Sequence, residues 1–465
     1  MKRFLAATAA LACLAAAGAA PAQSAPHSPG APYAARNLAD RIVLSPGADP
    51  STQMAIAYRT DTAQAATEVQ LAPGLDGPSL EAFAKPVDGT VQPIETDNGK
   101  ALYHQARFTG LTPDTAYVYR VRGSAGWSEW LQFRTAAKGF KPFTFLYLGD
   151  TQNGILSLGS RVIRQAYQST SSPALMLHAG DLVAQRDDMI HDDEWGEWTQ
   201  AGGYNFSTVP QMPATGNHEY VESLDSAGRE IRQLGPHWSK QFALPANGAA
   251  GVEATTYYSD YQGVRFVVLD GTAALDLGKI DVQTAWLDKV LAEPGPLWRI
   301  VVFHQPIYTC ARPQDTAALK AAWAPVFERR NVDLVLQGHD HCYSRLSSAK
   351  GKDDAKRRHD ASEPQGPIYL VSVTGKKMYA LNDRALTQPD RVAEDTQLYQ
   401  VVTVEKDRIG FEARTARGAL YDAFELKRGA DGRNRLVEST APLETQRTCN
   451  AQTGPDGAPC TSRDK

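Results

Sequence analysis

The sequence predicts an all-β N-terminal sandwich followed by a layered α/β domain. Three observations carry that prediction. Short alternating strands separated by turn residues run from Asn37 to about Ala137. From Phe143 the rhythm changes to apolar runs alternating with helical spacing. The chain's 465 residues also exceed one ordinary domain, since roughly 100–200 residues per domain is usual.

Composition excludes several classes. A 42% hydrophobic content rules out a wholly disordered chain. A formal charge of −4 argues against a nucleic-acid binder that works by neutralising phosphates. Five cysteines are too few for a disulfide scaffold.

Residues 1–22 read as a cleaved signal peptide: Lys2 and Arg3 precede an Ala-rich apolar run that ends in Ala20-Pro21-Ala22. A membrane span would need about 20 strongly apolar residues, and the run is short and weak for one. Lipidation at Cys13 is disfavoured by Ala10 and by the few apolar residues before the cysteine. The expected location is therefore periplasmic or secreted, with no membrane span. Cleavage leaves 46 basic against 52 acidic residues, a charge of −6, and four cysteines. Cys449 and Cys460 are near neighbours that could staple a local loop, leaving Cys310 with Cys342; three connectivities stay open.

Residues 23–36, rich in Ser, Pro, Gly and Ala, read as a linker. Strand patterns at 41–44, 54–58, 103–108, 116–121 and 130–133 fill the sandwich, 37–137, which carries no cluster of metal-type or nucleophilic residues. Its expected role is packing against its neighbour or framing a site. In the second domain, 141–428, the runs 143–148, 174–177, 264–269, 299–303 and 332–336 read as buried strands. Helical spacing covers 281–292 and 316–330, and further strands fall at 367–373, 397–404, 409–414 and 419–426. Residues 429–465 read as a polar C-terminal tail.

The chemistry sits where these strands end. Gly149-Asp150, Gly180-Asp181, Gly216-Asn217-His218-Glu219, His304 and Gly338-His339-Asp340-His341 each close or follow a strand. Open α/β sheets bind ligands at the carboxyl ends of their strands, so all five converge on one crevice if the sheets are parallel there. Two carboxylates, one amide and three imidazoles suit transition metals. Six ligands are too many for one catalytic ion, and suit two ions about 3.5–4 Å apart that share a carboxylate. Other candidates are plainer. The acidic run Asp187, Asp188, His191, Asp192, Asp193 and Glu194 reads as a solvated loop and helix start, with an active-site rim as the alternative. His178 reads as a core residue, and His237 with Trp238 as part of an aromatic patch. Tyr343 and Arg345 are secondary candidates for touching a substrate phosphate.

This motif set resembles the calcineurin-like metallophosphoesterase superfamily, and within it the purple acid phosphatase-like branch, over roughly 37–427. The segment Leu111-Thr112-Pro113-Asp114-Thr115-Ala116-Tyr117 resembles the tyrosine corner of fibronectin type III domains, which that branch carries N-terminally. The resemblance implies an α-β-β-α layered domain and a dinuclear centre of divalent or mixed-valence Mn, Zn or Fe. It implies that Asp150 and His341 hold the first metal, Asp181 bridges, and Asn217, His304 and His339 hold the second. His218 would be the general acid or transition-state stabiliser near the leaving group. Two positions depart from the family: Ala184 stands where purple enzymes have their iron-binding tyrosine, and Gln152 where other members have a histidine. Gln152, Asn153 or water is left to fill the gap, and no tyrosinate-to-iron colour is expected.

The expected activity is hydrolysis of small phosphate monoesters by water activated at the two metals. Diester hydrolysis of nucleotides or lipid headgroups is the alternative within the class. A non-catalytic binding or adhesion protein is the alternative outside it, and retention of all six ligands plus His218 speaks against that.

Overall fold

The computed structural model describes residues 32–347, 366–449, 453–454 and 457–460. The proposed signal peptide, Cys13 and most of the linker lie outside the described residues.

Period-two alternation builds the sandwich. One sheet orders the strands Asp40–Pro46, Met54–Thr60, Gly99–Phe108 and Gly89–Thr96; the facing sheet is centred on Val69–Pro73 and Ala116–Gly123. Leu44, Ile56, Tyr58, Phe108, Tyr119, Val121 and Phe133 fill the space between them. The tyrosine corner is present: the Thr112 backbone N–H donates to the Tyr117 hydroxyl at 3.0 Å.

The second domain packs two seven-stranded sheets face to face. Phe143–Leu148, Met176–His178 and Gln211–Pro213 run parallel in one sheet. Val264–Val268, Trp298–Val302, Leu334–Gln337 and Ile368–Val371 run parallel in the other. Side-chain alternation sorts the layers. Ile300, Val302, Leu334 and Leu336 point into the shared core with Phe145 and Tyr147, whereas Val301 and Val335 point outward onto the helices Ile280–Ala292 and Ala317–Arg329. Helix Ser160–Gln168 buries Val162, Ile163 and Ala166 against the other sheet. The layers are therefore α-β-β-α.

The first sheet does not stop at residue 428, where the polar tail was expected to begin. Asn434–Glu438 pairs antiparallel with Leu420–Arg428 and buries Leu436, so an alternating strand is hidden in a polar composition.

A buried charge cluster joins the domains. The Asp192 carboxylate accepts hydrogen bonds from Arg41, Arg59 at 3.2 Å, Asn98 at 3.0 Å and His237 at 2.9 Å. Burial raises a carboxyl, but the His237 hydrogen bond and the Arg41 charge override it and hold Asp192 well below the usual range. The expectation of a solvated loop therefore fails at Asp192, because sandwich residues cover it.

Candidate metal centre

Parallel strands in both sheets end on the same side, and each end delivers a polar side chain. Asp150 follows Phe143–Leu148, Asp181 follows Met176–His178, Asn217 follows Gln211–Pro213, His304 follows Trp298–Val302, and His339 and His341 follow Leu334–Gln337. An isolated parallel bridge between Asp150 and Val373 sews the two sheets together at this edge. Two glycines explain how close the loops come. A Cβ at Gly216 would collide with Asp181 Oδ1, and one at Gly338 with Asp150 Oδ1.

Two donor groups share one residue. Asp150, Asp181 and His341 bring one ligand atom each within 4.8 Å of one another, and so do Asp181, His304 and His339. Asn217 and His218 line the same pocket, of about 350 Å³. All seven residues singled out in the sequence thus meet in one place. Asp181, His339 and His341 hold left-handed φ values of 50°, 71° and 50°. That conformation costs roughly 1–2 kcal/mol per non-glycine residue, which the surrounding fold must offset.

Hydrogen bonds fix the tautomers, because a carbonyl can only accept. His304 Nδ1 donates to Ala179 O at 2.7 Å, His341 Nδ1 to Lys377 O at 2.8 Å, and His218 Nδ1 to Ala184 O. The opposite Nε2 atoms therefore face inward, at 3.0 Å (His304) and 3.9 Å (His218) from Asp181 Oδ2, and at 3.3 Å (His341) from Asp150 Oδ2. Burial pushes His341 down to about 3 and His339 down as well, so both are neutral imidazoles with lone pairs to offer. His304 behaves differently: burial lowers it, but Asp181 and Asp150 override burial and raise it to about 9. Burial also raises the Asp150 carboxyl to about 6.

Three buried oxygens at the site, Asp150 Oδ2, Gln152 Oε1 and Asn217 Oδ1, have no hydrogen-bond partner. Orphaned buried acceptors are rare and costly unless something positive completes them. A proton on His304 is what protein alone supplies; a pair of cations would satisfy the same oxygens and imidazoles together. The donor set fits that group. Gln152 reaches the centre: its amide nitrogen lies 2.7 Å from Asp181 Oδ2 and 3.3 Å from His341 Nε2.

The disulfide Cys310–Cys342 runs beside His341. Asp340 Oδ2 accepts from the backbone N–H of Cys310 and Ala311, at 2.7 and 2.8 Å, so the loop after His304 is held to the last motif. Cys449–Cys460 forms a second bridge.

Some secondary candidates lie elsewhere. Tyr343 and Arg345 do not reach the pocket: both are buried beneath it against Asp422, at 2.7 and 2.8 Å, because strand alternation turns them away. His178 is a core residue bonded to Gln211 at 2.9 Å. His237 joins the aromatic patch, stacked 5.6 Å from Trp195, and also the Asp192 cluster. Glu194 accepts from the Ala184 and Gln185 N–H groups at 2.7 Å, bracing the loop after Asp181.

Three contributors carried no assigned role in the sequence. Glu219 accepts from the N–H of Asp181, Leu182 and Gly216, at 2.9, 2.8 and 2.6 Å, tying two motif loops together. Its place directly after Asn217-His218 was the available signal. Lys377 and Tyr379 line the pocket from the loop after Ile368–Val371. No spacing marks that loop.

Comparison with known proteins agrees with this architecture. Residues 39–135 match the family model of the purple acid phosphatase N-terminal domain, and 143–343 match that of calcineurin-like phosphoesterases. An uncharacterised protein of Mycobacterium tuberculosis is 27% identical over 386 residues, covering 74% of this chain and 70% of that one. Purple acid phosphatase 23 of Arabidopsis thaliana is 26% identical over 302 residues, covering 58% of this chain and 61% of the relative. The structure of the yellow lupin purple acid phosphatase PPD1 superposes with a TM-score of 0.70 at 18% identity, covering 85% of this chain and 75% of that one, a likeness of fold. With both family models matched in order along one chain, the protein belongs to the calcineurin-like metallophosphoesterases, in the purple acid phosphatase-like branch, and is a metal-dependent phosphoric ester hydrolase.

Proposed function

We propose that the chain is a dinuclear-metal phosphomonoesterase that works outside the cytoplasm. The observation that carries the reading is the pair of three-residue donor groups sharing Asp181 at the floor of one pocket. Asp150, Asp181 and His341 would hold one ion; Asp181, Asn217, His304 and His339 would hold the other. Carboxylate, amide and imidazole donors without a tyrosine suit divalent or mixed-valence Mn, Zn or Fe. When bound, two such ions supply Lewis acidity toward a phosphoryl group and toward water.

The chain's own residues do the rest. The left-handed backbone at Asp181, His339 and His341 aims their side chains inward, and Glu219 keeps the Asp181 and Asn217 loops in register. His218 is anchored through Nδ1, so its Nε2 is the atom that can hold a proton beside the leaving oxygen. Two disulfides suit an oxidising compartment, and among the described residues no helix is long and apolar enough to cross a membrane.

Metal analysis together with turnover of an aryl phosphate, a bis-aryl phosphate and phytate tests the reading. The expected result is about two ions per chain and monoester turnover, with Asp181→Asn losing both. Metal-free, inactive protein that Asp181→Asn leaves unchanged would establish the binding-protein alternative instead.

A further inference from the structure

The pocket that His218 lines also carries a cation that the metal-centre reading does not use. Pocket-lining arginines are committed to carboxylates: Arg186 to Glu222 at 2.7 Å, Arg232 to Glu222 at 2.7 Å and Asp276 at 3.0 Å, and Arg312 to Asp340. Lys377 lines the same pocket and has no carboxylate partner among the described residues. Its ammonium lies 5.5 Å from the centre of the Tyr379 ring, which packs edge-on to His341 at 4.9 Å.

The backbone under Lys377 is built rather than loose. Thr374 and Gly375 N–H donate to Asp150 O at 3.0 and 2.6 Å. Lys377 O accepts from His341 Nδ1 at 2.8 Å, and Tyr379 N–H donates to His341 O at 3.2 Å. The backbone at Lys377 is therefore pinned between the first and last motifs, and its side chain lines the same cavity as their donors.

We propose that Lys377 is a substrate-binding residue that holds a terminal phosphoryl oxygen and makes the site prefer dianionic phosphate monoesters over monoanionic diesters. This rests on the phosphomonoesterase reading above. A monoester presents one more anionic oxygen than a diester, and a single unpaired ammonium beside the metal centre discriminates on that oxygen. A strongly hydrated point charge on a flexible stem suits a phosphoryl group that must leave as free phosphate.

The test compares wild type, Lys377→Met and Lys377→Arg, each loaded with metal, on an aryl phosphate and a bis-aryl phosphate. The expected result for Lys377→Met is a fall of about 10–100-fold in kcat/KM for the monoester, the usual worth of a charged hydrogen bond. Diester turnover and metal content should change little. Binding of inorganic phosphate, followed by calorimetry, should weaken by a similar factor, and Lys377→Arg should recover most of both losses. Equal losses on monoester and diester, or unchanged phosphate binding, overturn the assignment. Wild-type protein that hydrolyses no monoester overturns the phosphomonoesterase reading, and phosphate binding then still decides whether Lys377 holds the anion.

Discussion

Two places in this molecule bury dense charge, and they differ in one respect. At the domain junction, Asp192 meets Arg41, Arg59, Asn98 and His237, and both its oxygens are satisfied by protein donors. At the strand ends, Asp150, Asp181 and three histidines meet with too few donors, leaving Asp150 Oδ2, Gln152 Oε1 and Asn217 Oδ1 without partners. Burial and charge are common to both. The central carboxylate separates them: where protein donors finish it, as at Asp192, the cluster holds domains together even though Arg41 Nε and Asn98 Oδ1 beside it lack partners, and where it is left unfinished, as at Asp150, it awaits something the chain does not contain.

The largest effect that sharpens this contrast is on the unfinished cluster. Asp181→Asn removes the residue common to both donor groups, and hydrolysis should fall by more than the roughly 10–100-fold that loss of an outer-shell partner costs. Metal content, measured by elemental analysis, should fall with it. Retention of both ions would break the contrast.

Next comes the finished cluster. Asp192→Ala leaves Arg41 and Arg59 buried without their carboxylate, and breaking such a group costs about 3–5 kcal/mol. Urea unfolding should show that loss, while the folded fraction keeps its metals and its kcat/KM. A variant that loses metal in proportion to stability would mean the two clusters are coupled.

Chelation gives a smaller effect with the opposite pattern. Ions that bind only the folded state stabilise it by about 3–4 kcal/mol at 100–1,000 times their dissociation constant. Removing them should lower the melting temperature of wild type and of Asp192→Ala alike, and leave Asp181→Asn almost unmoved. Calorimetric scans with and without chelator check this.

Much of the site was legible because its residue types are chemically peculiar. Asp, Asn and His directly after apolar runs, with glycines before them, have few structural uses, and the layer pattern followed from the same runs. What stayed hidden depends on partners far away in sequence. Asp192 looked like any acidic loop residue, since nothing in its neighbours announces Arg41 and Arg59, 151 and 133 positions earlier. Tyr343 and Arg345 looked like rim residues because they follow His341, yet one strand's alternation sends them to Asp422. Lys377 enters the pocket on a loop whose only credential is its hydrogen bonds. Strand 434–438 was masked by polar residues around a single buried leucine.

The smallest effect separates both clusters from ordinary buried histidines, one in each domain. His104 is sandwiched between Thr60 and Thr67 hydroxyls at 2.9 and 3.0 Å and stacks 4.7 Å from Tyr58. His178 lies in the core of the catalytic domain. Burial pushes both down to about 4. An unfolded histidine titrates near 6.5, so between about 6.5 and 4 the unfolded chain carries protons that the folded chain refuses. Stability should therefore be unaffected by these groups above that window and fall as pH drops through it, by about 2 kcal/mol per histidine near pH 4.5. Asp192 works in a lower window: its depressed carboxyl contributes fully above the unfolded value near 3.9 and is lost only below it. Urea unfolding of His104→Gln against wild type, both in chelator so that the site histidines contribute equally, should show a flatter slope of stability against pH between 6.5 and 4.5. The slope, unlike the midpoint, does not depend on whether glutamine keeps the threonine hydrogen bonds. An unchanged slope would mean that His104 takes up its proton alike in the folded and unfolded chain, its two ring N–H groups donating to the Thr60 and Thr67 hydroxyl oxygens, whose own protons go to backbone carbonyls.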